Sequence, residues 1–329
     1  MKKNIALLAG GNSPEREISL QSAAQIEHAI DPAKYNLYKI DIDGGLWVWR
    51  DPQGNEHHIN KDDFSLQRFG ERIAFDCALI LIHGTPGEDG MLQGYLEMMG
   101  IPFPSCSMTS SVITFDKITT KRTVEAAGIE TPRALFVRTG EFVDPEAVVR
   151  EMGLPLFVKP NASGSSFGVS KVKELREVLP ALGKALAESP EALIETAVEG
   201  REVGCGMMVA DGREYLFPVT ELCPKRDFFD YEAKYTEGLA DEITPAHLPA
   251  EVLSRLNDLT RRAYHACRCR GLVRIDFIVH DGKPFLIEVN SIPGMSTGSI
   301  VPQQITAAGM TVGAVYDLLI ADALAAKGA

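Results

Sequence analysis

Apolar runs alternate with amphipathic stretches along residues 1–104. The runs NIALLAG, NLYKIDI and DCALILIHG predict strands, while residues 18–30 and the stretch GMLQGYLEMMG predict helices. Strands that alternate with helices indicate a parallel sheet. The turn IPFPS, with Pro102 and Pro104, ends this pattern. We therefore predict an α/β unit with a boundary at this turn.

Beyond the turn, helices and strands follow in a less regular order. Helices are predicted over residues 108–127, 144–152 and 175–188, with the strands RALFVR and PLFVKP on either side of the second helix. The segment LIETAVEGREVGCGMMV opens a strand-rich region, and the last helices are predicted over 250–268 and 312–326. A chain of 329 residues is too long for one ordinary hydrophobic core, so we expect two or three domains.

Two apolar runs, LVRIDFIVH and KPFLIEVN, flank Asp281-Gly282, a dipeptide typical of hairpin turns. With the two-residue period of a strand, each run has one apolar face and one polar face. The apolar faces consist of Ile275, Phe277 and Val279 in the first strand and Phe285, Ile287 and Val289 in the second. The polar faces carry Arg274 and Asp276 in the first strand and Glu288 and Asn290 in the second.

The register of this hairpin decides which side chains meet. A plain two-residue loop would put Asp276 opposite Ile287, so that a charge would enter the apolar face. Matching the faces requires Asp276 opposite Glu288, and we therefore predict a loop of odd length or a bulge. That register gathers Asp276, Glu288 and Asn290 on one face beside Arg274. Two carboxylates and an amide oxygen suit a hard cation such as Mg²⁺; the alternative is an ordinary half-solvated hairpin.

The composition excludes several classes of protein. With 45% hydrophobic and 24% charged residues, the chain is typical of a soluble globular protein. A formal net charge of −12 argues against nucleic acid as a main partner, although a local basic pocket for a small anion stays possible. No apolar run approaches the length of a membrane span, and the first run breaks at Gly10-Gly11, unlike a signal peptide. We expect a cytoplasmic protein. The six cysteines form no CxxC pair, which disfavours a zinc site.

Two loops that follow predicted strands carry candidate binding residues. In GGNSPEREIS, Asn12 and Glu15 replace glycines of the GxGxxG fingerprint, which disfavours a dinucleotide site despite Asp41 at the end of the next strand. Glu15 suits a cation or an ammonium group, or it stabilises the first turn of a helix. In HGTPGEDG, His83 and Glu88 lie where open α/β sheets bind ligands, although a single histidine there can be purely structural.

Three further segments combine small or charged residues with loops. FVKPNASGSSFGVSKV joins Lys159 to a loop whose backbone N–H groups could approach phosphate oxygens, with Lys117 as a second cation; the alternative is a flexible hairpin turn. DFFDYEAKYTEG carries Lys234 and Tyr235, and is either functional or a solvated turn. In SIPGMSTGS, the N–H of Gly294 could face an oxyanion and the hydroxyl of Ser299 could bind a carboxylate.

Taken together, eight segments resemble the D-alanine–D-alanine ligase family of the ATP-grasp superfamily. In chain order they are GGNSPEREIS, HGTPGEDG, LQGYLEMMGIPF, VKPNASGSSFGVS, IETAVEGRE, DYEAKY, RIDF and IEVNSIPGMS. The resemblance implies an α/β fold of three domains, with α+β character where ATP binds. The domains would be an N-terminal substrate domain (1–104), a central ATP-grasp domain (105–194) and a C-terminal ATP-grasp domain with the metal site and lid loop (195–329).

The resemblance also implies roles for individual residues. The nucleotide and metal residues would be Lys117, Lys159 and Lys234 for the phosphates, Glu195 to Val198 for adenine, Glu202 for the ribose, and Asp276, Glu288 and Asn290 for two Mg²⁺ or Mn²⁺ ions. Among the substrate residues, Glu15 would bind the ammonium of the first D-alanine, with Ser165 and Tyr235 hydrogen-bonded to Glu15 and with His83 and Glu88 nearby. Arg274 and the N–H of Gly294 would bind the oxyanion, and Ser299 would bind the carboxylate of the second D-alanine.

The activity implied is ligation of two D-alanines through a D-alanyl phosphate, by a homodimer that makes peptidoglycan precursors. The EAKY form of the predicted lid favours a peptide over a D-alanine–D-lactate ester. The alternatives are a D-lactate or D-serine ligase, another ATP-grasp carboxylate–amine ligase, and an ATP-binding regulator without catalysis. A dehydrogenase is the weakest alternative, because the dinucleotide fingerprint is absent.

Overall fold

A computed structural model of the protein describes residues 2–164, 167–224 and 240–326. The first part has a sheet of strand order β6-β5-β4-β3-β2-β1-β7, in which β1 runs parallel to both β2 and β7. Its elements are β1 (Lys3–Gly10), α1 (Arg16–Ala29), β2 (Tyr35–Asp43), β3 (Leu46–Arg50), β4 (Glu56–Asn60), β5 (Ser65–Arg68), β6 (Glu71–Ala74), β7 (Cys77–Ile80) and α2 (Met91–Met98). The predicted parallel strands and both helices are confirmed, and the antiparallel strands β3 to β6 are an addition.

Two helices replace the single one predicted over residues 108–127. They are α3 (Met108–Phe115) and α4 (Lys117–Ala126), and the chain leaves helical geometry at Asp116, where ψ is 107°. The Asp116 side chain accepts a hydrogen bond of 2.8 Å from the N–H of Thr119. An aspartate competes for backbone N–H groups in this way, so Asp116 ends one helix and caps the next. The prediction of one continuous helix was wrong.

The central sheet is antiparallel, with the order β10-β9-β11-β8. Its elements are β8 (Ala134–Arg138), α5 (Pro145–Met152), β9 (Leu156–Pro160), β10 (Ser170–Val172), α6 (Val178–Glu188) and β11 (Glu191–Thr196). The third sheet has the order β15-β14-β12-β16-β17, and β13 pairs with β12 off this path. Its elements are β12 (Arg201–Ala210), β13 (Arg213–Leu216), β14 (Thr220–Pro224), β15 (Ala240–Ile243), α7 (Ala250–Ala266), β16 (Gly271–His280), β17 (Lys283–Asn290), α8 (Ile300–Ala307) and α9 (Val312–Ala326).

The hairpin of β16 and β17 contains the predicted bulge. The turn is the two-residue Asp281-Gly282, yet Asp276 pairs with Glu288, because the register shifts between Asp276 and Phe277. Residue Ile287 is the extra residue on β17. The sequence-based face of β17 was partly wrong, since Leu286 and not Phe285 or Ile287 is buried with Phe277 in the core. A bulge reverses the alternation of a strand, which explains the difference.

Some buried hydrophobic clusters join distant parts of the chain, and another is confined to the central sheet and its helices. One cluster joins the first and last parts, since it contains Leu7 of β1, Met208 of β12 and Leu319 of α9. Another contains Val124 of α4 together with the third sheet. A separate cluster is confined to residues 137–194. The domain bounds 1–104, 105–194 and 195–329 stay a prediction.

In the part of the chain that is described, no single helix is long and apolar enough to cross a membrane. Among the helices of the described ranges, α8 and α9 taken together reach the required length and apolar composition, and this pair is bent by 97°.

Candidate active site

A cleft of ≈ 1270 Å³ receives side chains from all three parts of the fold. The sequence-predicted site residues that line it are Glu15, His83, Glu88, Lys117, Glu202, Arg274, Asp276, Glu288, Asn290, Gly294 and Ser299. The structure therefore brings together residues that are up to 284 positions apart (299 − 15). Three others do not line the cleft: Lys159 and Glu195 contact each other in the central sheet, and Val198 is half-buried in the segment after β11. Ser165, Lys234 and Tyr235 lie outside the described residues.

Arg274 and Asp276 form a two-pronged ion pair on the cleft face of β16. Arg274 Nε donates to Asp276 Oδ1 and Arg274 Nη2 donates to Asp276 Oδ2, both at 2.8 Å. Asn290 Nδ2 donates to the same Oδ2 at 3.0 Å. Gly204 on β12 makes room for the pair, because a Cβ there would lie 3.3 Å from Arg274 Cδ and 3.4 Å from Asp276 Oδ1. The guanidinium is thus held at the cleft with its planar fork oriented.

The candidate metal residues are consistent with a magnesium site in their chemistry. Asp276 and Glu288 lie directly opposite each other across the strand pair, and like charges in that position are unfavourable without a cation. Two carboxylates with the Asn290 amide supply the oxygen ligands that Mg²⁺ prefers. Among the described residues no group of three His, Cys, Asp or Glu side chains is close enough to hold a metal. The candidate set has two such side chains, and Arg274 occupies both oxygens of Asp276.

Glu15 and Glu88 form an acidic end of the cleft. Glu15 immediately precedes α1 and is 7% exposed, and Glu88 Oε2 accepts a hydrogen bond of 2.7 Å from the N–H of Gly84. Burial, and then the neighbouring Glu15 carboxylate, raise the pKa of Glu88 to about 8. The backbone of Gly164 approaches so closely that a Cβ there would collide with Glu15 Oε2. With this pKa Glu88 is mostly protonated at pH 7, and a positive group bound beside it would favour its ionised form.

His83 is buried and connects the first part of the chain to the loop after β17. Its Nε2 lies 3.4 Å from Ser22 Oγ, which accepts a hydrogen bond of 3.1 Å from the N–H of Met295. Burial lowers the pKa of His83 to about 4; Arg274 contributes to the lowering, and a hydrogen bond to the backbone of Ile292 opposes it. His83 is therefore a neutral hydrogen-bonding group at pH 7.

The buried imidazole should make folding sensitive to acid. The pKa of His83 is about 4 in the folded chain and 6.5 when exposed, so the unfolded state binds more protons between these values. The stabilisation is complete above pH 6.5 and is lost as the pH falls towards 4. We expect the free energy of unfolding to fall by about 3 kcal/mol more over this range in the wild type than in His83→Gln. Urea unfolding at several pH values measures this difference, and parallel curves for the two proteins would contradict it.

Three lysines near the central sheet differ in their partners: Lys117 contacts a backbone carbonyl, whereas Lys121 and Lys159 contact a carboxylate. Lys117 Nζ lines the cleft and donates a 2.6 Å hydrogen bond to the carbonyl oxygen of Ser163. Lys159 Nζ lies 2.7 Å from Glu195 Oε2, and Lys121 Nζ lies 3.1 Å from Glu195 Oε1. Sequence reasoning missed Lys121, although its spacing of four residues from Lys117 in FDKITTKR places both on one helix face.

The loop after β17 and the start of α8 also line the cleft. Ser299 precedes α8 and its hydroxyl lies 2.8 Å from that of Ser296. A Cβ at Gly294 would lie 2.9 Å from Ser299 Oγ, so this loop is tightly folded against the helix start. Gln303, one turn along α8, donates a hydrogen bond to Glu242 of β15, and both line the cleft. Neither was predicted, because the pattern gave no signal for α8.

Comparison with known proteins agrees with this geometry. Family models described as "D-ala D-ala ligase N-terminus" and "D-ala D-ala ligase C-terminus" match residues 4–106 and 123–321. The D-alanine–D-alanine ligase of Phocaeicola vulgatus is 44% identical over 313 residues, which cover 95% of this chain and 96% of the relative.

Solved structures agree over the whole fold. The VanG D-Ala:D-Ser ligase from Enterococcus faecalis superposes with a TM-score of 0.86 and 31% identity, covering 98% of this chain and 99% of that one. The D-alanine–D-alanine ligase from Bacillus anthracis complexed with ATP gives a TM-score of 0.80 and 30% identity, with coverages of 100% and 99%. The chain belongs to the D-alanine–D-alanine ligase family.

Proposed function

We propose that this ligase joins two D-alanines into D-alanyl-D-alanine through a D-alanyl phosphate, for peptidoglycan precursor synthesis. The observation that carries the proposal is that one cleft presents both acidic and basic groups. Glu15, beside Glu88, suits the ammonium of an amino acid. Arg274 and the loop around Gly294 and Ser299 line the same cleft and suit anions. Family membership supports the same substrates.

The chemistry explains why such a cleft is needed. A carboxylate is a poor acyl donor, so a bond forms between its oxygen and the γ-phosphorus of ATP while the bond from that phosphorus to ADP breaks. The amine of the second D-alanine, after losing a proton, attacks the acyl carbon, and phosphate leaves from the tetrahedral intermediate. Both reacting groups of the first step are anionic, so catalysis depends on positioning and charge neutralisation.

The described residues divide these tasks. Glu15, with Glu88 beside it, would bind the first ammonium, and Ser299 would bind the second carboxylate. Arg274 and the N–H of Gly294 would stabilise the oxyanion, for which Arg274 must share its fork with Asp276. Asp276, Glu288 and Asn290 would hold Mg²⁺, which when bound neutralises phosphate charge. Lys117 and Lys159 would contact the phosphates, with adenine along Glu195 to Val198 and the ribose at Glu202.

The second candidate is ligation of D-alanine to D-serine, because a solved structure with that specificity in its name matches the whole fold.

The experiment that tests the proposal measures ADP release with Mg²⁺-ATP and D-alanine alone, and with L-alanine, D-lactate or D-serine added, and identifies the products by mass. The dipeptide from D-alanine alone is the expected product. Turnover only after D-serine or D-lactate is added would overturn the second substrate but not the first.

We further infer that the ligase works in the cytoplasm, where ATP is supplied, and as a homodimer. The homodimer rests on the resemblance alone. A sedimentation mass of one chain at working concentrations would contradict it.

A further inference from the structure

Two lysines share one buried carboxylate in the central sheet. Lys159 Nζ pairs with Glu195 Oε2 at 2.7 Å, and Lys121 Nζ pairs with Oε1 at 3.1 Å. The side chains of Lys121 and Glu195 are only 4% and 6% exposed. Each oxygen of the carboxylate thus has its own cation, and the group of three carries one positive charge in excess.

The two lysines come from different packing units. Lys159 on β9 pairs with Leu193 of β11, two residues from Glu195, so all three side chains lie on one face of the central sheet. Lys121 lies on α4, a helix whose Val124 belongs to the buried cluster of the third sheet. Lys121 Nζ also donates a 2.5 Å hydrogen bond to the carbonyl oxygen of Pro132, so two acceptors hold it in place.

The charges around Glu195 keep it ionised. Burial alone would raise the pKa of Glu195, but Lys159 and then Lys121 outweigh burial and lower this pKa. Burial lowers the pKa of Lys121, and the positive charge of Lys159 lowers it further. The carboxylates of Glu195 and Glu125 raise this pKa but do not outweigh burial. A buried carboxylate that loses its only cation is strongly destabilised, whereas one that keeps a second cation is not.

We propose that Lys121 is a positioning residue of the nucleotide site, which holds and neutralises Glu195 when Lys159 turns from Glu195 to the phosphates of ATP. The inference rests on the proposed ATP-dependent function. With Lys121 present, the departure of Lys159 leaves a neutral Lys121–Glu195 pair. Without Lys121, the same movement would leave Glu195 unpaired, so Lys159 would remain on the carboxylate and ATP would bind more weakly.

The test separates ATP binding from the other steps. Lys121→Met keeps an unbranched, apolar side chain but removes the charge. We expect its KM for ATP to rise at least about tenfold, while its KM for D-alanine and its kcat at saturating ATP stay within about threefold of the wild type. Lys121→Arg, which keeps the charge, should recover most of the affinity. Arg122→Met is the matched control, because Arg122 is exposed on the same helix.

A second comparison keeps the test decisive if Lys121→Met does not fold. Glu195→Gln needs no second cation, so Glu195→Gln and Lys121→Met/Glu195→Gln should bind ATP equally well. Calorimetric titration with ATP and Mg²⁺ reads this out even if the wild type makes no dipeptide, so failure of the proposed function and failure of this inference are distinguishable. An unchanged KM for ATP in Lys121→Met, an equal rise of the KM for D-alanine, or unequal binding by the last two variants would overturn the role of Lys121.

Discussion

Replacing Arg274 by lysine is expected to lower kcat for dipeptide formation about a hundredfold, because one fixed donor on a developing oxyanion contributes ~3 kcal/mol. A lysine keeps the charge, but it lacks the planar fork of arginine. Its single ammonium group therefore cannot contact both oxygens of Asp276 and the reacting atoms at the same time. The orientation of Asp276 towards Glu288 and Asn290 would be lost at the same time. Steady-state ADP release and the dipeptide yield measure the effect.

The chain offers a matched control for this substitution. Arg201 makes the same two-pronged pair with Glu221 on the same sheet, and neither residue lines the cleft. Arg201→Lys removes the same fork, at no greater cost in stability because the Arg201 side chain is 41% exposed against 16% for Arg274. It should leave kcat near that of the wild type. If both variants lose activity in parallel with their melting temperatures, the role of Arg274 is structural and the oxyanion assignment is wrong.

Glu15→Gln is expected to lower kcat/KM for D-alanine by about a hundredfold or more, because removing one member of a buried charge pair typically costs 2–5 kcal/mol. The amide keeps the shape next to Gly164 while it removes the charge that would attract the ammonium. The KM for ATP should change little. Glu17→Gln is the control, since Glu17 lies on the same helix turn and is exposed. Equal losses in the two variants, or a loss confined to ATP, would exclude Glu15 as the ammonium site.

The hairpin of β16 and β17 shows how far sequence could lead. The demand that apolar faces match was enough to predict that Asp276 pairs with Glu288, because burial penalises a charge on the core side strongly. It could not tell whether the extra residue lies in the turn or in a strand. The structure places the extra residue at Ile287 and buries Leu286. Both depend on packing against Phe277, which the local sequence pattern does not show.

The sequence pattern gave little indication of two other features, the strands that follow β2 and the pairing of Lys121. The strands β4 to β6 are short and rich in polar residues. They pair in chain order beyond β3, next to an aromatic group that includes Trp47, Phe64 and Tyr95. The pairing of Lys121 with Glu195 joins residues 74 positions apart (195 − 121) that lie on different elements. Sequence spacing places side chains on a face of a helix or strand, but the tertiary structure decides which faces meet.

The bulge at Ile287 also divides the hairpin into two stretches of opposite alternation. On the turn side of Ile287, the even-numbered residues Pro284 and Leu286 face the core, whereas on the far side the odd-numbered Val289 does. The core-facing positions between 277 and 286 are therefore set separately from the alternation that places Glu288 and Asn290 beside Arg274 and Asp276. A deletion of Ile287 alone would still leave Asp276 paired with Glu288. A one-residue insertion elsewhere in β17 would instead turn the acidic side chains into the core, so the strand tolerates changes in length at one position and not at its neighbours.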